Sequence, residues 1–136
     1  MSALVILCQE FSQLTGVEFD LSFGPVRVDV GQFGPWWLEV DSSQRILTIH
    51  HTVDQAKPEE FAHWLEINSQ FSLLGGAWLA YHQPTESIRL CLLQEVAQLD
   101  GKVLVNLLDN LQQVRADLPV PPMRTSSWPP NHPIYR

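Results

Sequence analysis

The sequence predicts an α+β fold, an antiparallel twisted sheet with three helices. Three observations predict it. Apolar residues recur at helical spacing in three stretches, near residues 2–15, 58–74 and 100–118. Between these stretches, apolar and polar residues alternate with period two, as in half-buried strands. The alternating runs are joined by short Gly-, Pro- and Asp-containing breaks, which suit hairpins.

The first helix runs from Ser2 to Thr15. Leu4, Leu7, Cys8, Phe11 and Leu14 fall within an arc of roughly 120° on a helical wheel. Ser2 suits the N-cap, and Gly16 suits a left-handed stop. Val5 and Ile6 lie outside the stripe, either as scattered surface residues or as a second face for a partner. A short strand is expected at Glu18–Phe23. Val26, Val28 and Val30 then alternate with Arg27 and Asp29, and Trp36, Leu38 and Val40 with Trp37, Glu39 and Asp41. Gly31–Pro35 turns the chain between these two runs, and Asp41–Gln44 leads into a further strand at Arg45–His51, completing a meander.

The second helix starts at Pro58, a residue suited to the first helical position, with Glu59 and Glu60 at the positive end of its dipole. Its marked face carries Phe61, Trp64, Leu65, Asn68, Phe71 and Leu74, and Gly75-Gly76 stops it. Those aromatics either fill the monomer core or concentrate binding energy at an interface. Ala77–His82 and Ser87–Gln94 flank a turn-length break and form a hairpin. The third helix begins at Asp100, carries Leu104, Leu107, Leu108, Leu111, Val114 and Leu118, and ends at Pro119. Residues 1–118 thus make one domain. Residues 119–136 hold six of the ten prolines and form a tail in which Trp128, Ile134 and Tyr135 either dock or stay in a disordered chain.

With 136 residues, 45% of them hydrophobic, the chain can bury a core without disulfides or metal. Cys8 and Cys91 sit in apolar runs and are read as buried free thiols, which points to a reducing compartment. The 15 Asp and Glu outnumber the 8 Lys and Arg. Arg124 and Arg136 lie in the acid-free tail, so the domain alone carries a net charge of −9. Such a surface repels phosphate backbones and excludes nucleic acid as the expected partner, while favouring basic segments. Residues 1–8 lack a basic leader region and a cleavage site. No apolar run approaches the ~20 residues of a membrane span. The expectation is a cytoplasmic protein with no membrane insertion.

Chemistry is sparse. His50 and His51 are neighbours in a strand and point to opposite faces. The Cys-x-x-Cys, His-Glu-x-x-His, Gly-x-Ser-x-Gly and Ser-x-x-Lys patterns are absent. Gly75-Gly76 ends a helix instead of opening one, the wrong dipole end for a phosphate. No catalytic residue, metal or cofactor is expected. What stands out is apolar surface beyond the needs of one small core, the usual mark of a protein interface.

The element order and three stretches resemble the class I chaperones of bacterial type III secretion. These stretches are Phe61-Ala62-His63-Trp64-Leu65-Glu66-Ile67-Asn68, Gly76-Ala77-Trp78-Leu79-Ala80-Tyr81 and Ile88-Arg89-Leu90, followed by Leu99-Asp100. The resemblance covers about residues 3–118 and implies the order α-β-β-β-α-β-β-α. It further implies a homodimer, with Phe61, Trp64, Leu65, Phe71, Trp78 and Ala80 at the two-fold. It implies a partner, one cognate secreted effector, whose N-terminal segment is held in extended form. By position, Val5, Ile6, Val28, Trp37 and Leu38 are the effector-binding residues. An alternative of the same fold is a regulatory adaptor that sequesters a transcription regulator. The Pro-rich tail exceeds the family core.

Overall fold

Helix α1 spans Ala3–Thr15 in the computed structural model, which describes residues 1–121. Ser2 caps it by accepting the Val5 N–H, and Gly16 ends it in the left-handed conformation at φ 72°. Leu4, Leu7, Cys8 and Phe11 are buried, but Leu14 is exposed. The chain reverses at Gly16, and Phe19 folds back against Phe11 with ring centroids 4.6 Å apart, closing the core one turn early.

The strand expected at Glu18–Phe23 is absent. Its alternation is real, since Phe19 and Leu21 are buried while Glu18 and Asp20 are exposed. Its hydrogen bonds, however, go to a side chain. The Ser12 hydroxyl accepts from the Phe19 N–H and donates to the Phe19 carbonyl, and Asp20 turns the chain by accepting the Ser22 N–H. A periodic extended segment is therefore pinned to α1 instead of joining the sheet.

The sheet contains β1 (Val26–Asp29), β2 (Pro35–Val40), β3 (Ile46–Gln55), β4 (Trp78–His82) and β5 (Ser87–Glu95), in spatial order β1-β2-β3-β5-β4 and antiparallel throughout. The β2–β3 turn is organised by Asp41, whose carboxylate accepts from the Arg45 and Ile46 N–H groups and the Ser43 hydroxyl. Those bonds hold its pKa below the ordinary carboxylate value. The expected β4–β5 hairpin is present and turns through a short 3₁₀ segment, Gln83–Thr85, with Glu86 at φ 49°.

The second predicted helix is broken. A 3₁₀ turn at Pro58–Glu60 leads into α2 (Phe61–Ile67), and α3 (Phe71–Leu74) follows after residues 68–70. The break comes where Gln70 leaves the helical region at φ −92°, ψ 76°, two residues after Asn68, whose side chain is committed to the β4 backbone. Helix α4 spans Gly101–Asp117, and the Asp100 carboxylate caps it by accepting the Val103 N–H at 2.8 Å. A Cβ on Gly101 would lie 2.8–2.9 Å from the backbone of Glu10 and Phe11, so only glycine allows α1 and α4 to approach this closely. After α4, Leu118 and Pro121 are buried, and the Pro119 carbonyl accepts a hydrogen bond from the His63 ring. Pro119 and Pro121, past the expected boundary, therefore contact the domain, while Val120 stays exposed. Trp128, Ile134 and Tyr135 lie outside the described residues.

One core joins the helices to one sheet face, where Val28, Trp36, Leu38, Leu47, Ile49, Leu79, Leu90 and Leu92 point inward. His51 shares that face, fully buried. Its ring stacks on Trp36 at 4.2 Å, its Nδ1–H donates to the Pro35 carbonyl, and its Nε2 accepts from the Arg115 guanidinium. Arg115 also covers the Phe33 ring and donates to the Val53 carbonyl. This geometry needs a neutral imidazole. Burial lowers the His51 pKa, and the Arg115 charge adds to the shift against the Pro35 bond.

The sign of the linkage follows. Above the ordinary imidazole value of about 6.5 both folded and unfolded states are neutral. Below it the unfolded chain binds a proton that the folded chain refuses. Stability is thus present above pH 6.5 and lost as pH falls, by up to about 1.4 kcal/mol per pH unit for one proton. Urea unfolding across pH 7.5–5 should show this slope, and His51→Gln, which cannot titrate, should reduce it, the remainder coming from His50, whose pKa burial also lowers. An unchanged slope in that variant would assign the effect elsewhere.

Candidate protein-binding surface

Large apolar side chains remain exposed in three places. At the β4 end of the sheet, Leu65 is 68% exposed and Phe71 80%, with Trp78 and Tyr81 also exposed and Phe61 and Ala80 half-buried. Phe61, Leu65, Ala80 and Tyr81 surround an apolar groove of about 120 Å3 between α2 and β4, floored by Trp64, Leu79 and Ile88. This is smaller than the roughly 300–1,000 Å3 of small-molecule sites, so the groove suits part of a side chain. Phe61 and Tyr81 meet across it, ring centroids 5.5 Å apart.

Asn68 finishes this edge. Its Oδ1 accepts the Leu79 N–H at 2.7 Å and its Nδ2 donates to the Leu79 carbonyl at 2.9 Å. The amide thus stands in for a neighbouring strand at one residue of an otherwise open sheet edge. Two residues on, period two turns the Tyr81 peptide groups to the same side.

The second place is the sheet face away from the helices. The strand register aligns Arg27, Trp37, His50, Cys91 and Trp78 in one row across all five strands. Trp37, Trp78 and the nearby Leu93 are exposed. The third place is α1 and the segment after it, where Ile6, Val17 and Phe23 are exposed and Val5 is half-buried.

These placements sort the expected residues. Val5, Ile6 and Trp37 reach the surface, with Trp37 on the opposite side of the sheet from α1. Val28 and Leu38, expected at an effector groove, are 4% and 0% exposed, because the period-two alternation points them under the helices. Trp64, expected at the two-fold, is 3% exposed and forms the groove's floor. Phe61, Leu65, Ala80 and Tyr81 come together around the groove at the β4 end, while exposed Phe71 and Trp78 lie outside its lining. Tyr81 was not among the expected site residues; it shares the parity of buried Leu79 yet is exposed at the sheet edge.

Polar chemistry is limited. Cys8 and Cys91 are free thiols. Cys91 is only half-buried and lies opposite His50, a pairing the linear sequence conceals. Burial raises its pKa against the lowering effect of Arg89, and burial lowers that of His50, so the neutral pair is favoured. His50 Nε2 lies 3.6 Å from the Glu39 carboxylate. Among the described residues, no three His, Cys, Asp or Glu side chains cluster to hold a metal ion. No helix among them is long and apolar enough to cross a membrane.

The model of the Tir chaperone protein (CesT) family matches residues 7–118. The chain belongs to this family. The CesT family is one of chaperones rather than enzymes, and the expected membership of the type III secretion chaperones is borne out. A search among curated protein sequences finds no match.

Solved structures show the same CesT-like fold. A chain of the HopA1–SchA chaperone–effector complex is 15% identical with a TM-score of 0.66, over 82% of this chain and 88% of that one. A chain of the Yersinia pestis type III secretion chaperone SycH with a stable fragment of YscM2 is 16% identical, with a TM-score of 0.63 over 87% of this chain and 100% of that one. A chain of the heterodimeric ExoU–SpcU complex from the type III secretion system of Pseudomonas aeruginosa is 16% identical, with a TM-score of 0.63 over 81% and 92%.

Proposed function

We propose that this CesT-family chain is a homodimeric chaperone of the bacterial cytoplasm that binds the N-terminal region of one type III secreted effector in extended form. The observation that carries the reading is the separation of its exposed apolar surface into distinct places on a well-packed domain. The β4 end, with Phe61, Leu65 and Ala80 over the Trp64 floor, Phe71 exposed on α3 and Trp78 on the face of β4 away from the helices, suits self-association. Phe61, Leu65, Ala80 and Tyr81 share one apolar groove there, and a two-fold contact needs one self-complementary patch. Val5 and Ile6 on α1 and Trp37 on the far sheet face suit the client, with Val28 and Leu38 packed beneath. Because these lie on opposite sides of the sheet, a client touching both must pass round an edge as extended chain. The four-residue β1 is the edge away from the proposed two-fold. The role is to keep the segment solvated by protein contacts and competent for secretion, without nucleotide.

The test is co-expression with secreted proteins of the host, followed by mass measurement of the purified complex and titration calorimetry. A stable complex of two chaperone chains and one secreted protein is expected. Val5→Asp with Ile6→Asp should weaken it at least ten-fold while leaving self-association intact. Unchanged affinity would remove α1 from the site. A transcription regulator in place of a secreted protein would favour the adaptor reading.

A further inference from the structure

A groove of about 630 Å3 runs between α1 and the segment after it. Val5, Cys8 and Phe19 give it an apolar floor, and Glu18 and Asp20 stand among its lining residues with no cationic side chain beside them. The groove is preformed. The Ser12 hydroxyl holds both peptide groups of Phe19, and the Phe19 ring rests on Phe11. The extended backbone here sends Phe19 and Leu21 inward and both carboxylates outward. Hydrogen bonds from Ser22 hold the Asp20 pKa below the ordinary carboxylate value, so it is ionised at neutral pH. Neither carboxylate has an ion-pair partner among the described residues, where the ion pairs are Arg27–Asp29 and His50–Glu39.

Apolar floor and unpaired anionic rim are complementary to one kind of side chain, a long aliphatic stem ending in a cation. We propose that this groove seats an arginine or lysine of the bound client segment, its stem along Val5, Cys8 and Phe19 and its charge between Glu18 and Asp20. This rests on the client-binding reading of α1 and deepens it, by making a basic residue in the client an anchor. Arginine fits better than lysine, because its planar fork can serve two carboxylates at once.

The probe is a short fluorescent peptide of alternating Ser and Val with one central Arg, compared with the same peptide carrying Gln. Fluorescence anisotropy on the full chain should show the Arg peptide binding about ten-fold tighter. The preference should shrink as salt is raised, since exposed charges are screened. Amide NMR signals of Val5, Cys8 and Phe19 should move on titration. Glu18→Gln with Asp20→Asn keeps the Ser22 turn and should erase the preference, while Glu59→Gln with Glu66→Gln, outside the groove, should preserve it. Equal affinity for the two peptides, or a preference that survives in the groove variant, overturns the seat and leaves the client reading standing. If neither peptide binds and none of those signals moves, both fall.

Discussion

Replacing Leu65 and Phe71 together by glutamate should convert a particle of twice 15.5 kDa into a folded 15.5 kDa monomer, read by sedimentation equilibrium and circular dichroism. Both side chains are largely exposed in the isolated chain, so the monomer forfeits little packing when they change. At a two-fold contact each substitution counts twice and buries four carboxylates in an apolar patch. Each unpaired carboxylate costs several kcal/mol on burial, and about 4 kcal/mol in total already weakens association about a thousand-fold. Trp64→Ala is a poorer probe of the interface. Trp64 belongs to the core, where losing an aromatic costs about 3–5 kcal/mol and threatens folding itself. A Leu65→Glu, Phe71→Glu variant that stays dimeric would move the two-fold elsewhere, with the row around Trp37 and Trp78 next in line.

Asn68→Ala is expected to cost about 2–4 kcal/mol in urea unfolding, a large effect for a half-buried polar residue. The amide satisfies both the N–H and the carbonyl of Leu79, a residue with almost no solvent contact. Truncation leaves two peptide groups unpaired at about 1–3 kcal/mol each. Asn68→Asp should not rescue, because it keeps an acceptor for the N–H but turns an oxygen toward the carbonyl. A cost under about 1 kcal/mol in the alanine variant would mean that other groups take over at that edge.

Much of the fold was legible because its signals are local. Ser2, Gly16 and Asp100 act at helix ends as their chemistry dictates. The alternation of Val26–Asp41 and the break at Gln83–Glu86 report the strands and hairpin directly. The errors arise where a distant partner decides. Glu18–Phe23 has a strand's alternation, but Ser12 supplies the hydrogen bonds that a strand would have supplied. Residues 58–74 have a continuous helical pattern, but the chain leaves the helical region at Gln70, just after Asn68 commits its side chain to β4. The site was legible only in outline. Sequence shows that Leu65, Phe71 and Ile6 are apolar, not that they stay exposed once the core is filled. It equally hides that Val28, Leu38 and Trp64 fill that core, because alternation identifies a face without saying what covers it.

The contact of Gly101 with the backbone of Glu10 and Phe11 has a kinetic consequence. It joins segments roughly ninety residues apart, and contacts of such long range slow folding because a large loop must close first. On the ribosome, the side of α1 that packs on α4 waits uncovered until α4 has been synthesised. The domain is therefore completed in one late step, and a nascent chain halted before residue 101 presents a bare greasy helix that itself needs protection.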